Sequence, residues 1–238
     1  MTALDLGTSY AASRTRLEQY FDRTALDAWA QLTSDAPVSK VRATVRAGRD
    51  RMRGLLLSWL PADLSGRRIL DAGCGTGALA VEAARRGADV VAVDVSSSLI
   101  DIARERAAEE LMHEATAGDV TFMAGDMLDP SLGVFDHVVA MDSLIHYATA
   151  DIEASAIALA KRTSGSLLFT VTPRTAPLML MLTAGKLFPR ADRAPAIAPV
   201  SVEALRRRLD VAGPMRADRC ERVSGGFYTS VAVELVRR

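Results

Sequence analysis

From Arg67 onward, short runs rich in β-branched residues alternate with stretches of helical periodicity, and no other sequence feature restricts the fold as strongly. Because strands joined through helices run in the same direction, the alternation predicts an α/β protein built on a parallel sheet. We predict seven strands, at 67–72, 89–94, 120–126, 135–142, 166–173, 215–222 and 227–236. The helices between them are predicted at 77–86, 97–114, 151–162 and 201–211.

Two local signals refine this prediction. Ser98 and Asp101 have the spacing of a capping box at the start of the second of these helices. Ser224-Gly225-Gly226 separates the last two strands and is short enough for a hairpin, which makes the last strand antiparallel. We therefore expect a doubly wound, seven-stranded, mostly parallel sheet with an antiparallel last strand, a subclass distinct from the plain dinucleotide folds.

About 60 residues precede the sheet and are predicted to be helical. In the segment 39–61, an apolar face is predicted from Val41, Val45, Met52, Leu56 and Trp59. Basic side chains lie elsewhere on this helix and form either a solvated face or a docking surface for an anionic substrate: Lys40, Arg42, Arg46, Arg49, Arg51 and Arg53. We divide the chain into a helical arm or lid, 1–62, and a domain, 63–238, with an insertion at 174–200.

The composition limits the function classes. The 29 basic residues balance the 29 acidic ones, so the charge indicates no particular partner, and no nucleic-acid partner is expected. Cys74 and Cys220 lie far apart without ligand spacing, so neither a disulfide framework nor a metal site is predicted. No stretch reaches the roughly 20 apolar residues of a membrane span, and no signal core opens the sequence. We expect a cytoplasmic protein.

The segment DAGCGTG, Asp71–Gly77, directly follows the first predicted strand and opens a helix. Glycines at 73, 75 and 77 allow the backbone to approach a ligand closely, and the N–H groups of the helix start favour an anionic group. The segment therefore predicts a cofactor site. Its spacing differs from G-x-G-x-x-G because position 78 is Ala, which counts moderately against a nicotinamide dinucleotide.

Polar residues also follow the next three strands, at the edge of the sheet where open α/β folds bind ligands. Asp94 is placed to accept the hydroxyls of a ribose, and Asp126 to accept the exocyclic amine of an adenine. After the fourth strand, MDSLIHY brings Asp142, His146 and Tyr147 within about one helical turn. Each residue taken singly is also explained by a turn, a helix cap or a packed core histidine.

Taken together, DAGCGTG, VVAVD, AGDM and FDHVVAMDSLIHY resemble the successive motifs of class I S-adenosylmethionine-dependent methyltransferases. The resemblance implies that the glycine loop lies against the methionine moiety and that Asp71 orients the loop and the methionine amino group. It places Asp142, His146 and Tyr147 where the methyl group leaves. The cofactor-binding residues implied are Asp71, Gly73, Gly75, Gly77, Asp94, Val95, Asp126, Met127 and Met141.

Nearly the whole chain resembles the magnesium-protoporphyrin IX O-methyltransferase family of (bacterio)chlorophyll biosynthesis. The segments that carry this resemblance are LEQYFDRTALDAW, VRATVRAGRDRM, SLIHY and the insertion that contains LFPRADR. The resemblance implies esterification of one propionate of magnesium protoporphyrin IX by S-adenosylmethionine, with His146 and Tyr20 as catalytic and gating residues. It also implies the large subunit of magnesium chelatase as a partner, and a lipophilic substrate is compatible with peripheral association with the photosynthetic membrane.

The insertion offers a porphyrin cover. Thr175–Phe188 concentrates Leu with Met179 and Met181, which suits a flat apolar disc, although an ordinary core helix has the same composition. The cations placed to meet the propionates are Arg174, Lys186, Arg190 and those of the basic helix.

Three rival functions stay open at this point. The first is a methyltransferase with another small acceptor, which would need no broad apolar cover. The second is a nicotinamide-dependent oxidoreductase, which the glycine spacing and Asp126 disfavour. The third is a binding or scaffold protein that keeps the cofactor fold without turnover.

Overall fold

In the computed structural model, the described residues are 8–23, 26–34, 36–112, 118–176, 178–179 and 197–238. The strands are β1 Arg68–Ala72, β2 Asp89–Asp94, β3 Asp119–Ala124, β4 Phe135–Ala140, β5 Thr163–Val171, β6 Met215–Gly225 and β7 Tyr228–Arg237. The helices are α1 Thr8–Arg23, α2 Leu26–Leu32, α3 Lys40–Trp59, α4 Ala78–Arg85, α5 Ser97–Leu111, α6 Thr149–Lys161 and α7 Val202–Ala212. Short 3₁₀ turns lie at Pro130–Leu132 and Leu144–His146.

The seven strands form one sheet in the order β3-β2-β1-β4-β5-β7-β6. The pairs among β1 to β5 are parallel, whereas β7 is antiparallel to both β5 and β6. The predicted doubly wound, mostly parallel sheet with an antiparallel last strand is confirmed. The chain reverses its winding between β1 and β4, so the carboxyl ends of these strands border the crevice in which such sheets bind ligands.

Apolar side chains cover both faces of the sheet, as the near-continuous apolar runs of its inner strands require. Helix α3 contributes Met52 and Leu56, both fully buried, and packs against β6 and β7. Val45 and Trp59 are half-buried at the margin of the same cluster. The predicted apolar face is wrong in its first turn, because Val41 is 47% exposed there.

Some predicted boundaries are wrong by a few residues. Strands β3 and β4 end at Ala124 and Ala140, so the acids predicted at their tips lie in the following loops. Asp142 has φ of +53°, a conformation that a strand cannot contain. The cap of α5 is Ser96 rather than Ser98, since the buried, extended Ser96 accepts a hydrogen bond from the Leu99 N–H at 3.1 Å.

The insertion is described only at its two ends. Residues 177 and 180–196 lie outside the described residues, and so do the predictions for Met181, Lys186 and Arg190. Leu178 is buried, whereas Met179 is 40% exposed. At the other end, the Ala198 N–H donates to the Ile145 carbonyl at 2.8 Å, which fixes the returning chain beside the Leu144–His146 turn. Within the described part of the chain, no helix combines the length and apolarity needed to cross a membrane.

Candidate active site

A cavity of about 720 Å³ lies where the loops after β1, β2, β3 and β4 meet helices α1 to α3. Its size is typical of small-molecule sites. Most of the residues that the sequence predicts for the site line it: Asp71, Gly73, Gly75, Asp94, Val95, Met127, Met141 and His146. Gly77, Asp126 and Tyr20 are not among the lining residues.

Close packing explains why the loop after β1 needs glycine. Gly73 has φ of +86°, and a Cβ there would stand 2.3 Å from the Cβ of Ser143. Gly77 has φ of +84°, and its Cβ would meet the Phe122 ring at 2.9 Å. Gly73 and Gly77 therefore both permit the loop to pack closely against the protein, and Gly73 and Gly75 also line the cavity.

Two buried carboxyl groups stand at the base of the cavity. Burial, reinforced by the negative charge of Asp94, raises the pKa of Asp71 to about 7. Burial also raises the pKa of Asp94, although its oxygens accept from the Gly75 N–H at 2.8 Å and the Ser96 N–H at 3.0 Å. Among the described residues, Oδ2 of Asp71 has no hydrogen-bond partner. A cationic amino group is the donor that this oxygen suits, so the site fits S-adenosylmethionine.

The carboxylate of Asp126 faces helix α1. Its Oδ1 accepts from the Tyr10 hydroxyl at 2.7 Å and the Leu128 N–H at 2.9 Å, and its Oδ2 accepts from Arg14 at 2.6 Å. In this arrangement the carboxylate of Asp126 is hydrogen-bonded to side chains of α1. The flanking residues Gly125 and Met127 line the cavity instead. The assignment of Asp126 to an adenine amine stays a prediction.

Helix α1 crosses the carboxyl ends of the strands and is attached to several of their loops. The Tyr10 ring stacks on Tyr147, with centroids 4.9 Å apart. Ser9 donates to Asp151 at 2.8 Å, and Asp22 accepts from the Ser96 hydroxyl at 2.5 Å. Burial raises the pKa of Tyr10 well above its ordinary value, and the nearby Tyr147 and Asp126 add to this increase.

Tyr20, predicted as a gating residue, lies on α1 but away from the cavity lining. Its ring meets Phe21 edge-on with centroids 5.2 Å apart, and partial burial raises its pKa. Phe21 and Trp29, which the sequence did not single out, line the cavity in its place. Their rings are 5.3 Å apart and form an aromatic wall above the glycine loop.

Asp142 is the centre of a buried polar group, which we call the Asp142 cluster: Asp142, Arg49, Thr170 and Tyr228. Its carboxylate accepts from Arg49 at 2.6 Å, from the Tyr228 hydroxyl at 3.1 Å and from the Thr170 hydroxyl at 3.1 Å. Its own N–H donates to Thr170 at 2.7 Å. The cluster therefore joins helix α3 to the loop after β4 and to strands β5 and β7.

His146 ends the 3₁₀ turn that follows this loop, and its half-buried side chain lines the cavity with Met141 and Ser143. Asp142, His146 and Tyr147 of MDSLIHY all line the cavity. The carboxylate of Asp142 is in addition held by Arg49, Thr170 and Tyr228.

The basic side chains of helix α3 differ in their surroundings. Lys40, Arg42 and Arg51 are exposed, as on a solvated face. Arg46 instead donates to the carbonyls of Gln31, Leu32 and Ala36, which caps the end of α2. Within the described ranges, no three His, Cys, Asp or Glu side chains gather as a metal site would require.

Comparison with known proteins identifies close relatives. Residues 140–237 match the family profile described as the C-terminus of magnesium-protoporphyrin IX methyltransferase, and residues 69–164 match a methyltransferase domain. The chain is 54% identical to the magnesium-protoporphyrin O-methyltransferase of Rhodobacter capsulatus, over 95% of this chain and 98% of that protein.

Solved structures are similar over the same extent. The crystal structure of the magnesium protoporphyrin IX methyltransferase ChlM from Synechocystis with bound SAH has a TM-score of 0.83 and 30% identity, covering 94% of this chain and 100% of the other. The structure of ChlM with bound SAM has a TM-score of 0.80 and 27% identity, covering 95% and 97%.

Proposed function

Since this chain belongs to the magnesium-protoporphyrin O-methyltransferase family, we propose that it esterifies a propionate of magnesium protoporphyrin IX. It is an S-adenosylmethionine-dependent O-methyltransferase, and its products are the monomethyl ester and S-adenosylhomocysteine. The observation that carries the proposal is the single cavity that Asp71, Asp94 and His146 line together. This arrangement provides for a cofactor and for a second reactant beside it.

Cofactor binding is proposed to depend on the loops after β1 and β2. Asp71 would accept from the methionine amino group, and Asp94, held by the Gly75 and Ser96 N–H groups, would face the ribose. When bound, S-adenosylmethionine supplies a methyl group activated by its sulfonium. Gly73 and Gly75 would allow the methionine portion to lie against the backbone.

The acceptor needs positioning more than proton removal. A propionate has a pKa near that of Glu, about 4.3, so it is already an anion at neutral pH. Displacement requires one carboxylate oxygen in line with the breaking C–S bond, and loss of its water increases its reactivity. We assign His146 the role of orienting this carboxylate, or of accepting a proton where the apolar surroundings raise the propionate pKa.

We further propose that residues 1–62 act as an arm or lid on the domain 63–238, with α1 and α2 as its moving part. Helix α3 is packed in the core through Met52 and Leu56, so it would serve as the fixed base. Closure of α1 would exclude water from the reactants. Tyr20 would act in this motion as a gating residue, and residues 174–200 would cover the porphyrin.

Two further proposals concern the cellular context. The protein would receive its lipophilic substrate from the large subunit of magnesium chelatase, and it would work in the cytoplasm with peripheral attachment to the photosynthetic membrane. Retention of the purified protein on the immobilised chelatase subunit, and separately its co-sedimentation with anionic vesicles, tests each proposal. Recovery of the protein in the unbound fraction of both assays would reject both proposals.

Turnover is the direct test of the proposed function. Purified protein is incubated with S-adenosylmethionine and magnesium protoporphyrin IX, and the products are separated by chromatography and identified by mass. A monomethyl ester is the expected product. Tight S-adenosylmethionine binding without ester formation would refute the acceptor, and the same preparation should then be tested with small carboxylates, phenols and amines. Binding of a nicotinamide dinucleotide instead would refute the reaction class.

A further inference from the structure

Arg49 lines the cavity from the middle of helix α3, opposite the strands that carry the predicted cofactor residues. Its side chain is 19% exposed, and its guanidinium carbon lies 4.6 Å from the centroid of the Trp29 ring. The same indole borders the glycine loop, because a Cβ on Gly75 would stand 3.4 Å from its Nε1. Arg49 is therefore close to the part of the cavity assigned to the reacting groups.

The position of Arg49 is fixed by the Asp142 cluster. Asp142 accepts from one terminal nitrogen of Arg49 at 2.6 Å, while Tyr228 and Thr170 hold the carboxylate from other directions. Asp142 keeps φ of +53° in this arrangement, a conformation that non-glycine residues rarely adopt. Such strain persists where the surrounding contacts over-determine a residue, and it is frequent at functional sites.

The guanidinium has more donors than this pairing uses. Arginine carries five N–H donors, and among the described residues Arg49 donates one hydrogen bond, to Asp142. A guanidinium that lies over an indole ring and is held by a carboxylate at one end has its remaining N–H groups restricted in orientation. The group that matches the plane and charge of a guanidinium is a carboxylate.

We propose that Arg49 binds a carboxylate of the reactants and that Asp142 is a positioning residue that orients Arg49 for this purpose. The inference rests on the proposed function, in which each of the two reactants carries a carboxylate. One is the methionine carboxylate of the cofactor, and the other is a propionate of the acceptor. A purely structural pairing of α3 with the loop after β4 is the alternative explanation of the same geometry.

The experiment measures whether Arg49 distinguishes ligands by their carboxylates. Decarboxylated S-adenosylmethionine lacks only the cofactor carboxylate, and the dimethyl ester of magnesium protoporphyrin lacks both acceptor carboxylates. Dissociation constants are measured for each ligand and its analogue, by calorimetry for the cofactor pair and by fluorescence for the porphyrin pair. The wild-type protein should bind one of the two intact ligands about 10-fold to 100-fold more tightly than the analogue of that ligand that lacks the carboxylate, as expected for a charge-assisted hydrogen bond.

The variants must not leave a buried charge without a partner. Arg49→Met alone strands the carboxylate of Asp142, so it is compared with the double variant Arg49→Met/Asp142→Asn, which removes both charges. Arg51→Met is the matched control, since Arg51 lies on the same helix and is exposed. Asp142→Asn alone keeps Arg49 but removes its charged partner, and it should reduce the preference less than the double variant does.

The outcomes separate the sources. Loss of discrimination between S-adenosylmethionine and its decarboxylated form in the double variant assigns Arg49 to the cofactor carboxylate. Loss of discrimination between the porphyrin and its diester, with an increased KM and unchanged cofactor affinity, assigns it to the acceptor. Unchanged discrimination in a double variant that keeps the wild-type melting temperature overturns the inference. Wild-type turnover is measured in the same assays, so failure of the proposed function would be seen independently of Arg49.

Discussion

Removal of the Tyr10 hydroxyl is expected to open helix α1 without unfolding the protein. In Tyr10→Phe the ring stays stacked on Tyr147, and the lost contact is the 2.7 Å hydrogen bond to Asp126. A hydrogen bond to a charged group contributes about 1.5–3 kcal/mol. The ion pair of Arg14 with Asp126 remains, but Arg14 is about one-third exposed, so it contributes only about 0.5–1 kcal/mol.

This loss corresponds to an increase of roughly 10-fold to 150-fold in the population with α1 detached. Hydrogen exchange of the amides of Thr8–Arg23 should accelerate by this factor, while the amides of β1, β4 and β5 keep their rates. Arg14→Met, at the partly exposed end of the same contact, should accelerate exchange by less than 10-fold. Equal acceleration in α1 and in the central strands would refute local opening, and unchanged exchange in α1 would show that the hydrogen bond does not hold the helix.

Three other changes test the site. The pKa of Asp71 is raised to about 7, so the contribution of this group to the stability of the ligand-free fold is present at low pH and is lost as pH rises from about 4 through 7. Over the same rise in pH, S-adenosylmethionine should bind more tightly. Calorimetry should find this pH dependence of binding absent in Asp71→Asn. Gly73→Ala should lower the free energy of unfolding by about 1–3 kcal/mol, because its Cβ would overlap Ser143, whereas Gly125→Ala, with open space around it, should stay within about 0.5 kcal/mol in denaturant titrations. His146→Asn should lower kcat by about 10-fold without abolishing esterification, because positioning rather than proton removal is lost, and a fall of more than about 10⁴-fold would contradict this role.

Local sequence patterns were sufficient to predict the sheet and the half of the site that is formed by the loops after β1 and β2. The strand runs are almost entirely apolar, and their order with the helices allows one main arrangement. The loop 71–77 and Asp94 follow directly from their position after β1 and β2. These features depend on neighbours in sequence, which is why they were predicted.

The remainder of the site depends on distant partners. Asp126 and Asp142 follow strands β3 and β4, at the position where a ligand-binding acid is expected. Their hydrogen-bond partners, Tyr10 and Arg49, lie on α1 and α3, about 90 to 120 residues away in the sequence. No local spacing encodes these pairs. The cap of α5 was misplaced for a similar reason: of the three successive serines only Ser98 has an acid three residues later, but Ser96 is the one held by Asp22 on α1.

The position of β7 between β5 and β6 has a consequence for synthesis on the ribosome. Strand β6 leaves the ribosome first but has no partner in the sheet until β7 follows, and Tyr228 of β7 is also required to complete the Asp142 cluster. At about 5–20 residues per second, the interval from Val171 to Arg237 lasts roughly 3 to 13 s. During that interval the nascent chain displays an open edge at β5, and the Asp142 cluster is completed only when β7 has been translated.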